Sequence, residues 1–573
     1  MARSGSPPMM AEASLPGGGE VMRILERTGL YVLPLCLGLL FLAASLTPTL
    51  IPREWLVQGV LGGLVMVLGY LIGRACISLY RLLDLPEPDG RTAAISRLAL
   101  AVPVLVILVL CLLSARSWQN GIRTRMDMPP VETTHTFQML ALALVVFAVL
   151  VLLGFAVQWL FDRVRFRLYR YMPARTANVA GFLLTSLLLI VVTRDGVLDR
   201  VIAGLDNSVT VAQNLFVDAP PPPADADLTG GANSLVDWGA LGQPGRDYVL
   251  TGPDAADITA FTGQNALQPI RVYVGRAEAD DPQDRADIAL AELIRQGGFD
   301  REVLIVAMPT GTGWMDPGAV DTVEYMHGGD IATVAVQYSY LQSPLALILE
   351  TRSGLDQAEA LIGTVHRHWR SLPENDRPRL YIHGLSLGAW SSMHGTDLFA
   401  LLDDPIDGAL WAGPPFPSAK WQGIVASRDE GSPAIAPVLG DGRLVRFASH
   451  TEDAGGPEGW GNMRLVYLQY SSDPIVFFTS SSLFRAPEWM REPPGPDVSP
   501  QMRFMPVVTQ FQLAVDMALA NTAPDGHGHA YYGPDYIGPW VAVTDPANWT
   551  DEDTARLIAH CDGGFHQGCD NDG

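Results

Sequence analysis

Five long apolar stretches lie before residue 200, at about 30–50, 56–79, 95–115, 137–161 and 177–192. A helix needs about 20 such residues to cross the hydrocarbon of a bilayer, and a spanning backbone must satisfy its hydrogen bonds internally. Runs of this length therefore predict transmembrane helices, the last being the shortest. A secretory signal would instead be one apolar run of about 7–15 residues followed by a cleavage site. The chain is expected to open with a tail over residues 1–26 and a five-helix membrane domain over residues 27–200. Within the second stretch Gly59 and Gly63, and then Gly69 and Gly73, stand four apart, a spacing that lets helices approach closely in lipid.

Arginines orient the bundle, because positive loops stay on the cytoplasmic side. Twelve of them, from Arg3, Arg23 and Arg27 through Arg74, Arg81, Arg91 and Arg97 to Arg163, Arg165, Arg167, Arg170 and Arg175, fall on one side. Arg53, Arg116, Arg123 and Arg125 fall on the other. The N-terminus is thus expected inside, and five crossings put the remainder outside. Charge divides the chain at the same place: residues 1–200 hold 18 arginines and 12 acidic residues, leaving 20 basic and 49 acidic residues beyond them. So acidic an exported half argues against nucleic acid as a partner, since phosphate binding is driven by cationic side chains.

A linker is expected over residues 201–234, stiff through Pro220-Pro221-Pro222-Pro223 and looser at Gly230-Gly231. Over residues 235–573 short β-branched runs alternate with helical stretches, the pattern of a mostly parallel sheet covered on both faces. Strands are expected at 270–274, 303–307, 331–338, 379–383, 408–412 and 465–470, with helices at 284–296, 355–371, 389–400 and 507–520. Ligands bind outside the carboxyl ends of strands in such sheets.

One of those ends carries Gly384-Leu385-Ser386-Leu387-Gly388, between the strand at 379–383 and a helical stretch. G-x-S-x-G in that context is a nucleophile elbow, in which the serine sits on a strained strand-to-helix bend between glycines that avoid Cβ clashes. A serine hydroxyl needs a base and a group to orient that base. Asp473, just past the strand at 465–470, suits the acid; an Asx-type turn ahead of Pro474 is the plain structural alternative, and Asp403 and Asp404 are fallbacks. The base is His529, with His527 as alternative, on a glycine-containing loop able to swing an imidazole over the serine. Asp525, His527 and His529 also read as an Asp-x-His-x-His metal site, but no third and fourth ligands stand at suggestive spacing, and neither metal nor cofactor is expected. Oxyanion donors are expected from the backbone of Leu387 and of Thr310 or Gly311, the latter in the glycine-rich bend after the strand at 303–307.

Aromatic residues, among them Trp314, Trp421, Trp460 and Phe477, lie in the bend and in two long insertions, and suit a cap over an apolar substrate pocket, although about half of such a set is ordinary core. Cys561 and Cys569, eight residues apart with His566 between them, read as a short-loop disulfide, which requires an oxidising compartment.

The elbow, Asp473, the glycine–histidine loop and the multispan N-terminus together resemble the bacterial membrane-anchored alpha/beta-hydrolase family, over most of residues 27–560. The resemblance implies a multispan α-helical membrane domain followed by an α/β-hydrolase domain with cap insertions, and serine hydrolase chemistry without a cofactor. It implies no particular substrate. The expected protein is a multi-pass protein of the bacterial inner membrane, with a serine esterase or lipase-like domain at the extracytoplasmic face. It would act through an acyl-serine on an apolar or lipid-type ester. An acyltransferase using the same triad, or a non-catalytic binding or sensory module on a membrane bundle, are the alternatives. Nothing in the residues sets the oligomeric state.

Overall fold

The computed structural model describes residues 31–86, 90–192, 219–340, 351–396, 403–455, 459–564 and 568–569. The chain divides into two compact units. The first comprises Arg53–Gln119, Val131–Trp159 and the residues up to Thr47; the second comprises Pro48–Pro52, Asn120–Pro130 and Leu160–Gly573.

Helices α1 (Val32–Ser45), α2 (Trp55–Leu82), α3 (Gly90–Arg125), α4 (Thr136–Leu168) and α5 (Ala174–Val192) account for the apolar stretches. α2, most of α3, and α4 are long and apolar enough to cross a membrane. α1 has only 14 residues, about 21 Å at 1.5 Å per residue, shorter than the predicted first span. α5 covers the predicted fifth span in 19 residues. The tail over residues 1–26 lies outside the described residues. The glycine pairs in α2 serve two neighbours. A Cβ on Gly59 or Gly63 would meet Leu142 or Val146 of α4 within 3.0 Å, and one on Gly69 or Gly73 would meet Leu37 or Pro34 of α1 within 2.8 Å. Close packing in lipid rests on such small residues.

The second unit is built on seven parallel strands: β1 (Ile270–Val274), β2 (Val303–Met308), β3 (Ile331–Val336), β4 (Arg379–Leu385), β5 (Gly408–Ala412), β6 (Val445–Ala448) and β7 (Arg464–Leu468). Their order is β1-β3-β2-β4-β5-β7-β6. Strands β1 to β5 are buried along nearly their whole length, as parallel strands covered on both faces must be. The predicted strands all appear; β6 does not figure among them, being a four-residue edge strand interrupted by the partly exposed Arg446.

Right-handed crossovers place the helices. The chain steps one way across the sheet from β1 to β2 and from β3 to β4, so α6 (Pro282–Arg295) and α8 (Thr351–Ser371) share a face, and α9 (Leu387–Gly395) packs with α8. The step from β2 to β3 is reversed, which sends α7 (Pro317–Met326) to the opposite face, against α10 (Gly533–Thr544). Arg271 is tolerated inside β1 because Glu324 and Asp321 of α7 bind its guanidinium at 2.6–2.9 Å and Tyr248 O accepts a further bond at 2.9 Å. Burial nevertheless pushes the Glu324 carboxyl up to about 7, against the pull of Arg271.

From residue 219 the predicted linker is no free spacer. Thr229 Oγ1 donates to Arg271 O at 2.8 Å, Ser234 Oγ to Glu292 at 2.9 Å, and Trp238 Nε1 reaches back to Pro220 O at 2.9 Å. Residues 201–218 lie outside the described residues. Cys561 and Cys569 are joined in a disulfide. His566 between them lies outside the described residues.

Candidate active site

The central strand β4 delivers Ser386 at its carboxyl end with φ 58° and ψ −123°, a conformation strained for any residue with a Cβ. The turn is held by Ser386 N–H donating to Ala412 O at 2.9 Å, one step beyond the β4–β5 ladder. Both motif glycines are sterically required. A Cβ at Gly384 would lie 2.3 Å from the carbonyl carbon of Gly388, and one at Gly388 would lie 2.0 Å from Met308 O at the end of β2. The second contact also presses the start of α9 against the bend after β2, which is where backbone donors for an oxyanion are needed.

Of the two amides expected at that bend, Thr310 and Gly311, one is already bonded. Thr310 N–H is committed to Trp314 O at 3.1 Å, and Gly313 N–H closes the turn on Thr310 O at 3.0 Å, so Thr310 holds the bend and does not present its amide. Among the described residues Gly311 N–H makes no hydrogen bond. Leu387 is the first residue of α9, and its N–H has no intrahelical partner.

Asp473 follows β7 and is fully buried. Its two oxygens do different work. Oδ1 accepts Ile475 N–H at 2.8 Å and Val476 N–H at 3.4 Å, capping a short helix that begins at Pro474. Oδ2 accepts His529 Nδ1 at 2.7 Å and the Tyr531 hydroxyl at 2.9 Å. The turn and the histidine partner are therefore both present on one side chain. Facing a carboxylate, Nδ1 carries the proton, which leaves Nε2 with its lone pair. His529 Nε2 is buried and has no hydrogen-bond partner among the described residues. His529 also lies beside the serine turn: a Cβ on Gly413, the residue after Ala412, would come within 2.7 Å of its Cε1.

Burial pushes the Tyr531 hydroxyl well above its ordinary range, and the Asp473 charge adds to this, so it stays a donor. No pattern in the sequence marks Tyr531 beyond its place two residues after His529.

The glycine–histidine loop is held by its own backbone bonds. Gly526 and Gly528 have φ of 77° and 58°, supplying left-handed turns, and the segment is closed by Gly526 N–H to Ala530 O at 3.0 Å, Ala530 N–H to His527 O at 3.1 Å and His529 N–H to Ala520 O at 2.9 Å. This turn sends the two histidines to different carboxylates. His527 Nδ1 lies 3.5 Å from Asp497 Oδ2, so His527 is not the partner of Asp473, and the Asp525-His527-His529 grouping is not formed as a single site. Asp403 and Asp404 are ion-paired with Arg370 and Arg377.

The aromatic set divides. Trp421 and Phe477 are buried in the core, with Trp421 Nε1 bonded to Gln469 at 2.9 Å. Trp460 lies under the Arg446 guanidinium, 3.8 Å from its ring centre. These three are fixed by the fold itself. Trp314 is half-buried in the bend after β2, where its carbonyl accepts Thr310 N–H.

A family model described as the alpha/beta-hydrolase family matches residues 270–557. A second, described as the N-terminus of that family, matches residues 46–253. No curated protein and no solved structure matches the chain.

Proposed function

The chain belongs to the alpha/beta-hydrolase family, and on that premise we propose that it is a membrane-tethered serine hydrolase acting through an acyl-serine at residue 386. The carrying observation is the 2.7 Å bond from His529 Nδ1 to a fully buried Asp473, on a histidine that packs against Gly413, the neighbour of the Ala412 carbonyl to which the positive-φ Ser386 is bonded. His529 Nε2 takes the Ser386 proton as Oγ attacks the ester carbonyl. Leu387 and Gly311 N–H groups receive the charge that develops on the carbonyl oxygen. His529 then returns the proton to the departing alcohol, and a water repeats the sequence to free the acid. Catalytic hydrogen bonds of this kind are often open without substrate and tighten in its presence.

Membrane attachment is supported by three helices long and apolar enough to span. An extracytoplasmic position for the hydrolase unit is supported by the arginine distribution and by the Cys561–Cys569 disulfide. Held at a lipid surface, the enzyme is suited to an apolar or lipid-type ester. The test is hydrolysis of p-nitrophenyl esters of graded chain length by the full chain in detergent. Turnover that rises with acyl length and vanishes in Ser386→Ala is expected. Equal turnover in wild type and Ser386→Ala would sink the proposal.

A further inference from the structure

Beside the Asp473–His529 pair lies a second constellation that the proposed chemistry does not use. His450 follows β6, Asp497 comes from the insertion after β7, and His527 stands two residues before His529; one donor atom from each lies within 4.8 Å of the others. Asp497 is fully buried and tightly aimed: Ser471 Oγ bonds Oδ1, while Ser472 Oγ and Ser472 N–H bond Oδ2, the last at 3.2 Å. Burial works to raise its pKa, but the bonds from His527, Ser471 and Ser472 prevail and hold it below the usual carboxylate range.

Two features set this group apart from an ordinary hydrogen-bonded cluster. First, His527 Nδ1 stands 3.5 Å from Asp497 Oδ2, whereas the neighbouring His529–Asp473 pair closes to 2.7 Å. With metal–ligand bonds of about 2.0–2.1 Å, the edge of a tetrahedral site is about 3.3–3.4 Å, close to that longer separation. Second, His450 Nδ1 is buried and has no hydrogen-bond partner among the described residues, and its ring meets that of His527 edge to face with centroids 4.7 Å apart. A buried polar nitrogen left unsatisfied is unfavourable, and a cation would remove that penalty. Negative charge is in surplus here, since among the described residues neither Asp497 nor the nearby Asp535 is ion-paired with arginine or lysine.

We infer that His450, Asp497 and His527 form a divalent-metal site of the zinc type. Two imidazoles and a carboxylate match zinc and its transition-metal neighbours, not the all-oxygen preference of calcium or magnesium. Three protein ligands leave a fourth position for water, and a cleft lined by His450, Glu452, Gln469 and Ser471 opens beside the group. The ion would tie three separate loops together next to two members of the proposed triad: His527 is joined through Gly528 to His529, and Ser472, which holds Asp497, also accepts Gly528 N–H at 2.8 Å and directly precedes Asp473. Its role is positional, and metal binding is read independently of any hydrolysis.

The test uses the full chain in detergent, without a polyhistidine tag, stripped with chelator and titrated with Zn²⁺ by calorimetry, with metal content counted by mass spectrometry. One equivalent of zinc is expected, together with a raised Tm and at least 100-fold weaker binding in His450→Ala. X-ray absorption on zinc-loaded wild type guards against a variant that fails to fold, and should show nitrogen and oxygen ligands at about 2.0 Å with the outer-shell pattern of two imidazoles. Absence of stoichiometric uptake, unchanged binding in His450→Ala, or sulfur in the first shell would each overturn the site.

Discussion

Asparagine at position 473 changes one oxygen to an amide at constant size, and the four bonds around that side chain determine the consequence. Oδ1 receives two fixed backbone donors, from Ile475 and Val476, while Oδ2 receives His529 Nδ1 and the rotatable Tyr531 hydroxyl. An amide NH₂ placed at Oδ1 would oppose both backbone N–H groups and lose the cap, at about 1 kcal/mol. At Oδ2 it asks only that Tyr531 turn its hydrogen away and that His529 offer an unprotonated Nδ1. The second arrangement therefore wins, and it forces the His529 proton onto Nε2. That tautomer cannot accept the Ser386 proton. The expected result for Asp473→Asn is a fall in kcat/KM of about 10⁴-fold, equivalent to about 5.4 kcal/mol of barrier, with stability changed by no more than about 1 kcal/mol. Ester hydrolysis by the full chain in detergent, with Tm measured alongside, checks both numbers. Activity within tenfold of wild type at unchanged Tm refutes the reasoning.

Gly388→Ala puts a methyl 2.0 Å from Met308 O and 2.8 Å from Pro309 O, so the elbow must move and activity should fall by about 10²-fold or more, measured on the same ester. Arg271→Met leaves Asp321 and Glu324 buried without their cation, and denaturation should show a loss of about 3–5 kcal/mol. His327 is buried against Thr544 Oγ1 at 2.9 Å, and burial, helped by the Arg379 charge, lowers its pKa to about 3. Because that folded value lies below the unfolded one of about 6.5, its contribution is present above pH 6.5 and drains away as pH falls toward 3, at about 1.4 kcal/mol per pH unit. The Tm of His327→Gln should accordingly decline less than that of wild type between pH 6.5 and pH 5, and parallel declines would contradict the assignment.

The parts of this molecule legible in its sequence are those governed by local pattern. Apolar length predicted α2, α3 and α4, and β-branched runs predicted six of the seven strands, because each signal is carried within one segment. The elbow was legible for the same reason, as its glycines answer to atoms a few residues or one strand away. Residues whose meaning depends on distant partners were not. Asp497 sits in an irregular insertion and acquires its place only through Ser471, Ser472 and His527. Asp473 was readable in two ways, as a turn or as an acid, because spacing cannot show that a carboxylate has one oxygen for each. Trp421, Trp460 and Phe477 read as one aromatic set by composition, while the partners that hold them, Gln469, Arg446 and the core, lie beyond the reach of a local window.

The central claim concerns the reactivity of one hydroxyl. Treatment of the full chain in detergent with a fluorophosphonate, followed by peptide mass mapping, should place a single phosphonyl adduct on Ser386 in wild type. The adduct should form far more slowly in His529→Ala and not at all in Ser386→Ala. A wild-type protein that stays unmodified, or one modified elsewhere at the same rate in all three forms, would contradict the account.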